Sequence, residues 1–375
     1  MIWDIMKIRI WIICLFIIIL VTSCDSIPRI MLDESLNQSP TLSPEPSLTA
    51  TVTPTATITP TATKTPIPPT VTPTPWSLET FALSLLNPGV TPVQYLEDTC
   101  SYLANRWGEG KSEPGTIVVP IMFHSIAKPG REIRDSSTIT MAYFEYFMAT
   151  AKELGFETIK VSELVDFLLE NKEIPKRSMI MILDDRRPGV TELFMPYLEE
   201  NGWTLTLGWP TTDATREELW ERMESLADTG LLDIQSHGHD HIYIQSYTPL
   251  EEIEEEIYQP IEVIQEHFGT TAQAIIWPGG NFTQESIVLA REAGLELGFS
   301  VYSRGPLMFN WIPLGESEMM MDDPLMVLPR YWSTAADVAL QQALEISEAA
   351  EEQAESVWEQ EQLYYSLFCQ SVESD

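Results

Sequence analysis

The chain has 375 residues, 44% of them hydrophobic, enough to bury the core of one large domain or two small ones. With 56 acidic residues against 21 basic ones, its formal charge is −35. A surface this acidic repels phosphate, so nucleic acid is excluded as a partner and other acidic partners are disfavoured.

The first segment belongs to no core. Lys7 and Arg9 precede an apolar run, Ile10 to Val21, which ends in Thr22-Ser23-Cys24, small residues directly before a cysteine. The run is shorter than the ~20 residues that span a bilayer, and the pattern resembles a bacterial lipoprotein signal over residues 1–24, with Cys24 the lipidated residue. Residues 25–75 are dominated by Thr and Pro, as in Thr51-Val52-Thr53-Pro54-Thr55-Ala56-Thr57. Such a tract builds no core and favours extended conformers, so it reads as a disordered stalk reaching roughly 150 Å at about 3.1 Å per residue. The expectation is an exported, monomeric head, anchored to the bacterial cell membrane through an N-terminal lipid and facing outside. Cys14 lies within the signal, which leaves Cys100 and Cys369 either to pair with each other or to remain two buried thiols.

Residues 76–115 read as a helical lead-in with a turn at Pro88-Gly89. Residues 116–334 then alternate strand and helix. A continuous apolar run, Thr116 to Phe123, leads into His124, as a strand buried on both faces would. Helical spacing covers Met141 to Leu154, stopped by Gly155, and Ser162 to Glu170, capped by Ser162. A second buried strand, Ser178 to Leu183, delivers Asp184 and Asp185. After it come a helix near Val190 to Glu200, a strand from Trp203 to Trp209, a helix from Arg216 to Asp228 and a strand from Leu231 to Gln235. Thr248-Pro249-Leu250-Glu251 has the form of a capping box opening a helix that bends near Pro260. Strands at Gln273 to Trp277 and Gly298 to Tyr302 flank a helix from Phe282 to Ala293. The acidic runs Glu251 to Glu256 and Glu345 to Glu361 read as solvated helix faces, the second within an acidic C-terminal helix, residues 335–375. This alternation predicts an α/β fold with parallel strands, a distorted or incomplete (β/α) barrel before an open doubly wound sheet.

Ser236-His237-Gly238-His239-Asp240-His241 holds three of the five histidines. His237 and His241, four apart, can turn both rings to one side, and imidazole is the commonest ligand for a metal such as zinc. A carboxylate from Asp184-Asp185 would complete two histidines and one acid, leaving positions open for water and substrate. One acid then binds metal while the other serves as base. His124, at a strand end like Asp184 and His237, is a further catalytic candidate.

Several segments in order resemble the polysaccharide deacetylases, the NodB-homology domains of carbohydrate esterase family 4. Leu183-Asp184-Asp185-Arg186 is similar to the family's Asp-Asp-Gly motif, Ser236 to His241 to its His-Ser/Thr-x-x-x-His motif, and Trp277-Pro278-Gly279-Gly280 to its Pro-Tyr-Gly loop. Leu328-Pro329-Arg330 resembles a late family segment, and the early His124 resembles the poly-N-acetylglucosamine deacetylase branch. The resemblance implies Asp185, His237 and His241 as ligands of a divalent metal, zinc first, with Asp184 as general base and His124 as general acid. Pro278, Gly279 and Gly280 would form the oxyanion and substrate loop. The implied activity is metal-dependent removal of N-acetyl groups from a polysaccharide of N-acetylglucosamine type. The alternative is a carbohydrate-binding lipoprotein that keeps the fold without turnover. The chain departs from the pattern at Arg186, where the family has glycine, and it lacks the arginine that many members place before the Pro-Tyr-Gly loop. Arg186 is therefore a candidate for orienting the base.

Overall fold

The computed structural model describes residues 74–370 apart from Ser84, Pro129, Arg134 and Arg186. The signal, Cys24, the stalk and Arg186 thus lie outside the described residues.

Seven strands build the core of the domain among the described residues: β1 (Ile117–Phe123), β2 (Arg177–Asp184), β3 (Leu205–Trp209), β4 (Leu232–Ser236), β5 (Ala274–Ile276), β6 (Leu297–Phe299) and β7 (Tyr331–Trp332). They pair in the order β6-β5-β4-β3-β2-β1-β7, all parallel, and a two-residue strand, Glu157–Thr158, pairs with the start of β2. Every residue of β1 is buried, as is β2 after Arg177, which explains runs of Val, Ile, Leu and Met without polar alternation. The sheet curls until its edges meet. Leu328 lies parallel to Phe299, accepting from the Ser300 amide at 2.8 Å and donating to the Gly298 carbonyl at 2.7 Å. Three residues later the same segment, as β7, pairs with β1 at Ile121 and Met122. One short stretch therefore joins both edges into a distorted (β/α) barrel, the expected architecture.

The helices are α1 (Thr99–Trp107), α2 (Met141–Glu153), α3 (Val161–Glu170), α4 (Pro188–Asn201), α5 (Glu217–Ala227), α6 (Leu250–Phe268), α7 (Gln284–Glu292) and α8 (Ala336–Phe368). Among the described residues no helix is long and apolar enough to cross a membrane. Their ends correct several expectations. Ser162 is not a cap: α3 begins at Val161 after Lys160, whose amide is held by the Glu163 carboxylate at 2.8 Å. Nor does Thr248 cap α6, because its hydroxyl accepts from the Gln245 amide instead, at 2.9 Å. The helix runs through Pro260, which is buried on its inner face. The lead-in is mostly irregular, with only α1 and a short strand, Thr91–Val93, that pairs antiparallel with Ile312–Leu314.

The acidic runs are not uniformly solvated. Glu361 on α8 is buried and accepts from the Trp107 indole at 2.6 Å, with the Arg106 guanidinium 3.0 Å away. Close by, Cys100 and Cys369 form a disulfide that fastens α1 to the end of α8, among Leu103, Tyr364 and an edge-on Trp76. Paired carboxylates can be buried where uncompensated ones cannot, and a period-based reading of charge does not see a partner 254 residues away. Closing a loop of 269 residues restricts the unfolded chain, for a stabilisation between about 5 and 6 kcal/mol in the chain-entropy model. Reduction, or Cys100→Ser, is expected to lower unfolding stability by that order while leaving the far-UV circular dichroism of the barrel intact, as urea titration with and without reductant would show.

Candidate active site

The sequence-selected residues gather at one mouth of the barrel, where the strands end. His124 follows β1, Asp184 and Asp185 close β2, and His237 follows β4. Single ligand atoms of Asp185, His237 and His241 all lie within 4.8 Å of one another. Asp185 Oδ1 is 3.3 Å from His241 Nε2 and 3.8 Å from His237 Nε2. Two of the three sit in left-handed backbone, Asp185 at φ 70° and His241 at φ 61°, a conformation that costs a non-glycine residue about 1 kcal/mol or more and that turns each side chain inward.

His237 is fixed from behind. Its Nδ1 lies 2.6 Å from the carbonyl oxygen of Ile276, the last residue of β5, so Nδ1 carries the proton and Nε2 presents a lone pair to the cluster. Among the described residues that Nε2 is buried without a hydrogen-bond partner. Burial pushes the imidazole down to about 4, so it stays neutral at ordinary pH. A buried, partnerless, neutral nitrogen facing a second imidazole and a carboxylate is the donor set that a borderline divalent cation takes, and the three residues fit such an ion. His239 does not join them: its ring turns to the Thr211 hydroxyl, 3.0 Å from Nδ1.

Asp184 stands beside this cluster in a different environment. It is 2% exposed, and Arg330, wholly buried, donates from Nη1 to its Oδ1 at 2.6 Å and from Nε to the Ser300 carbonyl at 2.7 Å. Burial alone would raise the Asp184 carboxyl, but the guanidinium, with help from the neighbouring histidines, holds it below its ordinary value. His124 Nε2 is 3.7 Å from Asp184 Oδ2, and its ring stacks on Trp332 of β7 with centroids 5.9 Å apart. Burial lowers the His124 imidazole, with Asp184 opposing.

Three contributors escaped the sequence reading. Arg330 was singled out only as part of a late motif, and nothing in its local pattern names Asp184, 146 residues away, as its partner. Arg187 donates to Asp185 Oδ2 from Nη2 at 2.6 Å and from Nε at 3.1 Å, and is itself held by the Ser125 hydroxyl at 2.8 Å. Glu256, expected on a solvated face, is instead 1% exposed beneath the histidine loop, and burial pushes its carboxyl up to about 7. The Pro278–Gly280 turn lies against this loop: Gly279 and Gly280 both have positive φ, and a Cβ at Gly279 would meet the Tyr243 ring at 3.0 Å. Tyr243 in turn lies edge-on to His241.

Two carboxylates and three histidines converging at the mouth of a (β/α) barrel are the makings of a hydrolase. The family model described as polysaccharide deacetylase matches residues 171–298, about a third of the chain. Over those residues, which include Asp184, Asp185, His237 and His241, the chain is similar to a family of enzymes that hydrolyse N-acetyl amide bonds. No curated protein matches it in sequence. Among solved structures it is similar to the Streptococcus pyogenes deacetylase PplD in complex with acetate, at 16% identity and a TM-score of 0.51 over 62% of this chain and 99% of that one. It is also similar to IcaB from Ammonifex degensii, at 15% identity and 0.48 over 62% and 98%, and to BC0361, a polysaccharide deacetylase from Bacillus cereus, at 18% and 0.48 over 61% and 69%. At such identities the likeness concerns the fold, and the fold assignment rests on the first of the three.

The buried ion pair generates a pH-dependent expectation. In Arg330→Gln, burial is unopposed and the folded Asp184 carboxyl rises above its unfolded value. A group with a raised folded pKa favours folding only while it is protonated, so the variant's deficit against the parent should grow as pH rises through about 4. It should reach about 3–5 kcal/mol near neutrality, the usual cost of orphaning a buried charge. Urea unfolding of both proteins at several pH values measures it, and a deficit independent of pH would exclude this account.

Proposed function

We propose that the protein is a metal-dependent N-deacetylase of a polysaccharide of N-acetylglucosamine type, held away from a bacterial membrane by a lipidated Cys24 and a Thr/Pro stalk. The observation that carries the reading is the partnerless Nε2 of His237 facing Asp185 and His241, next to an acid kept ionised by Arg330.

In this reading Asp185, His237 and His241 hold the ion, with zinc the first choice for two imidazoles and a carboxylate. Bound there, it supplies an acidified water and a polarised amide carbonyl. Asp184 accepts the water's proton, and its pairing with Arg330 keeps it unprotonated and fixed in direction. His124, within 4 Å of Asp184, delivers a proton to the departing sugar nitrogen. Stacking on Trp332 limits its ring to one plane. The Gly279 backbone N–H, in a turn that tolerates positive φ, is the candidate donor to the developing oxyanion. Water and N-acetyl amide give acetate and a free amine.

A second reading, a sugar-binding head without turnover, has one observation in its favour. Arg187 occupies Asp185 Oδ2 through two hydrogen bonds, so a carboxylate meant for a metal is already partly neutralised.

Acetate release from N-acetylglucosamine oligomers should be measurable, should stop with chelator and should return on adding zinc. Asp185→Ala and His237→Ala are expected to lose stoichiometric metal while remaining folded, because a core of this size does not depend on one ion. His239→Ala should keep it. Retention of metal by the first two variants would overturn the ligand assignment, and a metal-replete parent silent on several N-acetylated polymers would favour the second reading. For the anchor, Cys24→Ser should move the protein out of the membrane fraction, and an unchanged distribution would refute lipidation.

A further inference from the structure

Between the two histidines of the cluster runs the loop Gly238-His239-Asp240, and besides the Thr211 hydroxyl on the His239 ring a buried carboxylate reaches its backbone. Glu256 lies on the inner face of α6 with Ile253, Ile257 and Ile264. Its carboxylate accepts from the Asp240 amide at 2.6 Å through Oε1 and from the Ile242 amide at 3.2 Å through Oε2. These two residues flank His241, so a single carboxylate grips the backbone on both sides of the residue whose φ is 61°. The approach is close enough to dictate sequence: a Cβ at Gly238 would stand 2.1 Å from Oε2, and Gly238 has a φ of 76° that favours glycine in any case. Taking a carboxylate out of water for hydrogen bonds to amides alone is costly, and a helix face otherwise made of isoleucines and Pro260 would pack as well with an apolar residue. The fold therefore tolerates Glu256 for what it does to the loop.

We propose that Glu256 is a positioning residue for the metal site, clamping the loop so that His241 stands ready beside Asp185 and His237 before any ion arrives. The inference rests on the reading of those three residues as ligands. Glu256 touches neither ion nor substrate. Its contribution is the ordering of a strained loop in advance, which otherwise has to be supplied at the moment of binding, and loss of such outer partners typically weakens metal binding 10- to 100-fold.

The test sets affinity against stability. In Glu256→Gln one amide acceptor is replaced by a donor facing a donor, and in Glu256→Met both are removed with little change of shape. Zinc affinity of the full chain, measured by competition with a chromophoric chelator, should fall about tenfold for Gln and up to about a hundredfold for Met. The metal-free Met variant should be little less heat-stable than the parent, since the loss of two hydrogen bonds is offset by the exchange of a buried carboxylate for an apolar group. A merely structural role predicts the reverse, lower stability with unchanged affinity, as expected for the control Ile257→Val on the same face. Should the variants not fold, hydrogen exchange of the metal-free parent still decides: the Asp240 and Ile242 amides should be strongly protected, and free exchange at both would overturn the clamp. A parent that binds zinc with variants of equal affinity overturns the role of Glu256 alone. A parent that binds no zinc overturns the ligand reading and this inference with it.

Discussion

The ion pair between Asp184 and Arg330 is the interaction on which both barrel and site depend. Asp184 ends β2, Ser300 follows β6, and Arg330 sits at the start of β7, so one guanidinium ties together three segments of the ring with bonds of 2.6 and 2.7 Å. Its position between the two sheet edges is no accident of packing, because the strand that brings it in is the one that joins those edges. Without the cation, the carboxylate would be buried uncompensated, and protonation would be its cheapest escape. The same contact therefore keeps the mouth of the barrel in shape and keeps the Asp184 carboxyl ionised there.

Around that pair the site is organised in graded exposure. His237 is sealed against Ile276, while Asp185 and His241 are partly open to solvent. A molecule reaching the cluster from solvent thus meets Asp185 and His241 before His237. Arg187 belongs to the open side, where its hold on Asp185 restrains a carboxylate that burial does not fix.

The sequence carried the order of strands and helices because β1, most of β2 and β5 are short apolar runs and the segments between them have helical spacing. It carried His124, Asp184, Asp185 and His237 because strand ends are where such folds expose chemistry. What it hid were partners joined only by closure of the ring. Tyr331–Trp332 is too short to announce itself as a strand, and with it the pairing of Arg330 with Asp184 and the stacking of Trp332 on His124 were invisible. Glu256 was hidden for the opposite reason. In a run of glutamates it looks like its neighbours, and only the rotation of α6 separates the one that faces inward from those that face water.

The bond between Cys100 and Cys369 makes the whole barrel the interior of a covalent ring. Tension applied to the leading segment passes through Cys100 directly into the end of α8, and the strands between them bear none of it. A single protease cut in any loop of the barrel opens the ring without releasing a piece, so nicked molecules stay in register for the contacts to re-form. That connectivity separates a load on the leading segment from the integrity of the barrel's mouth.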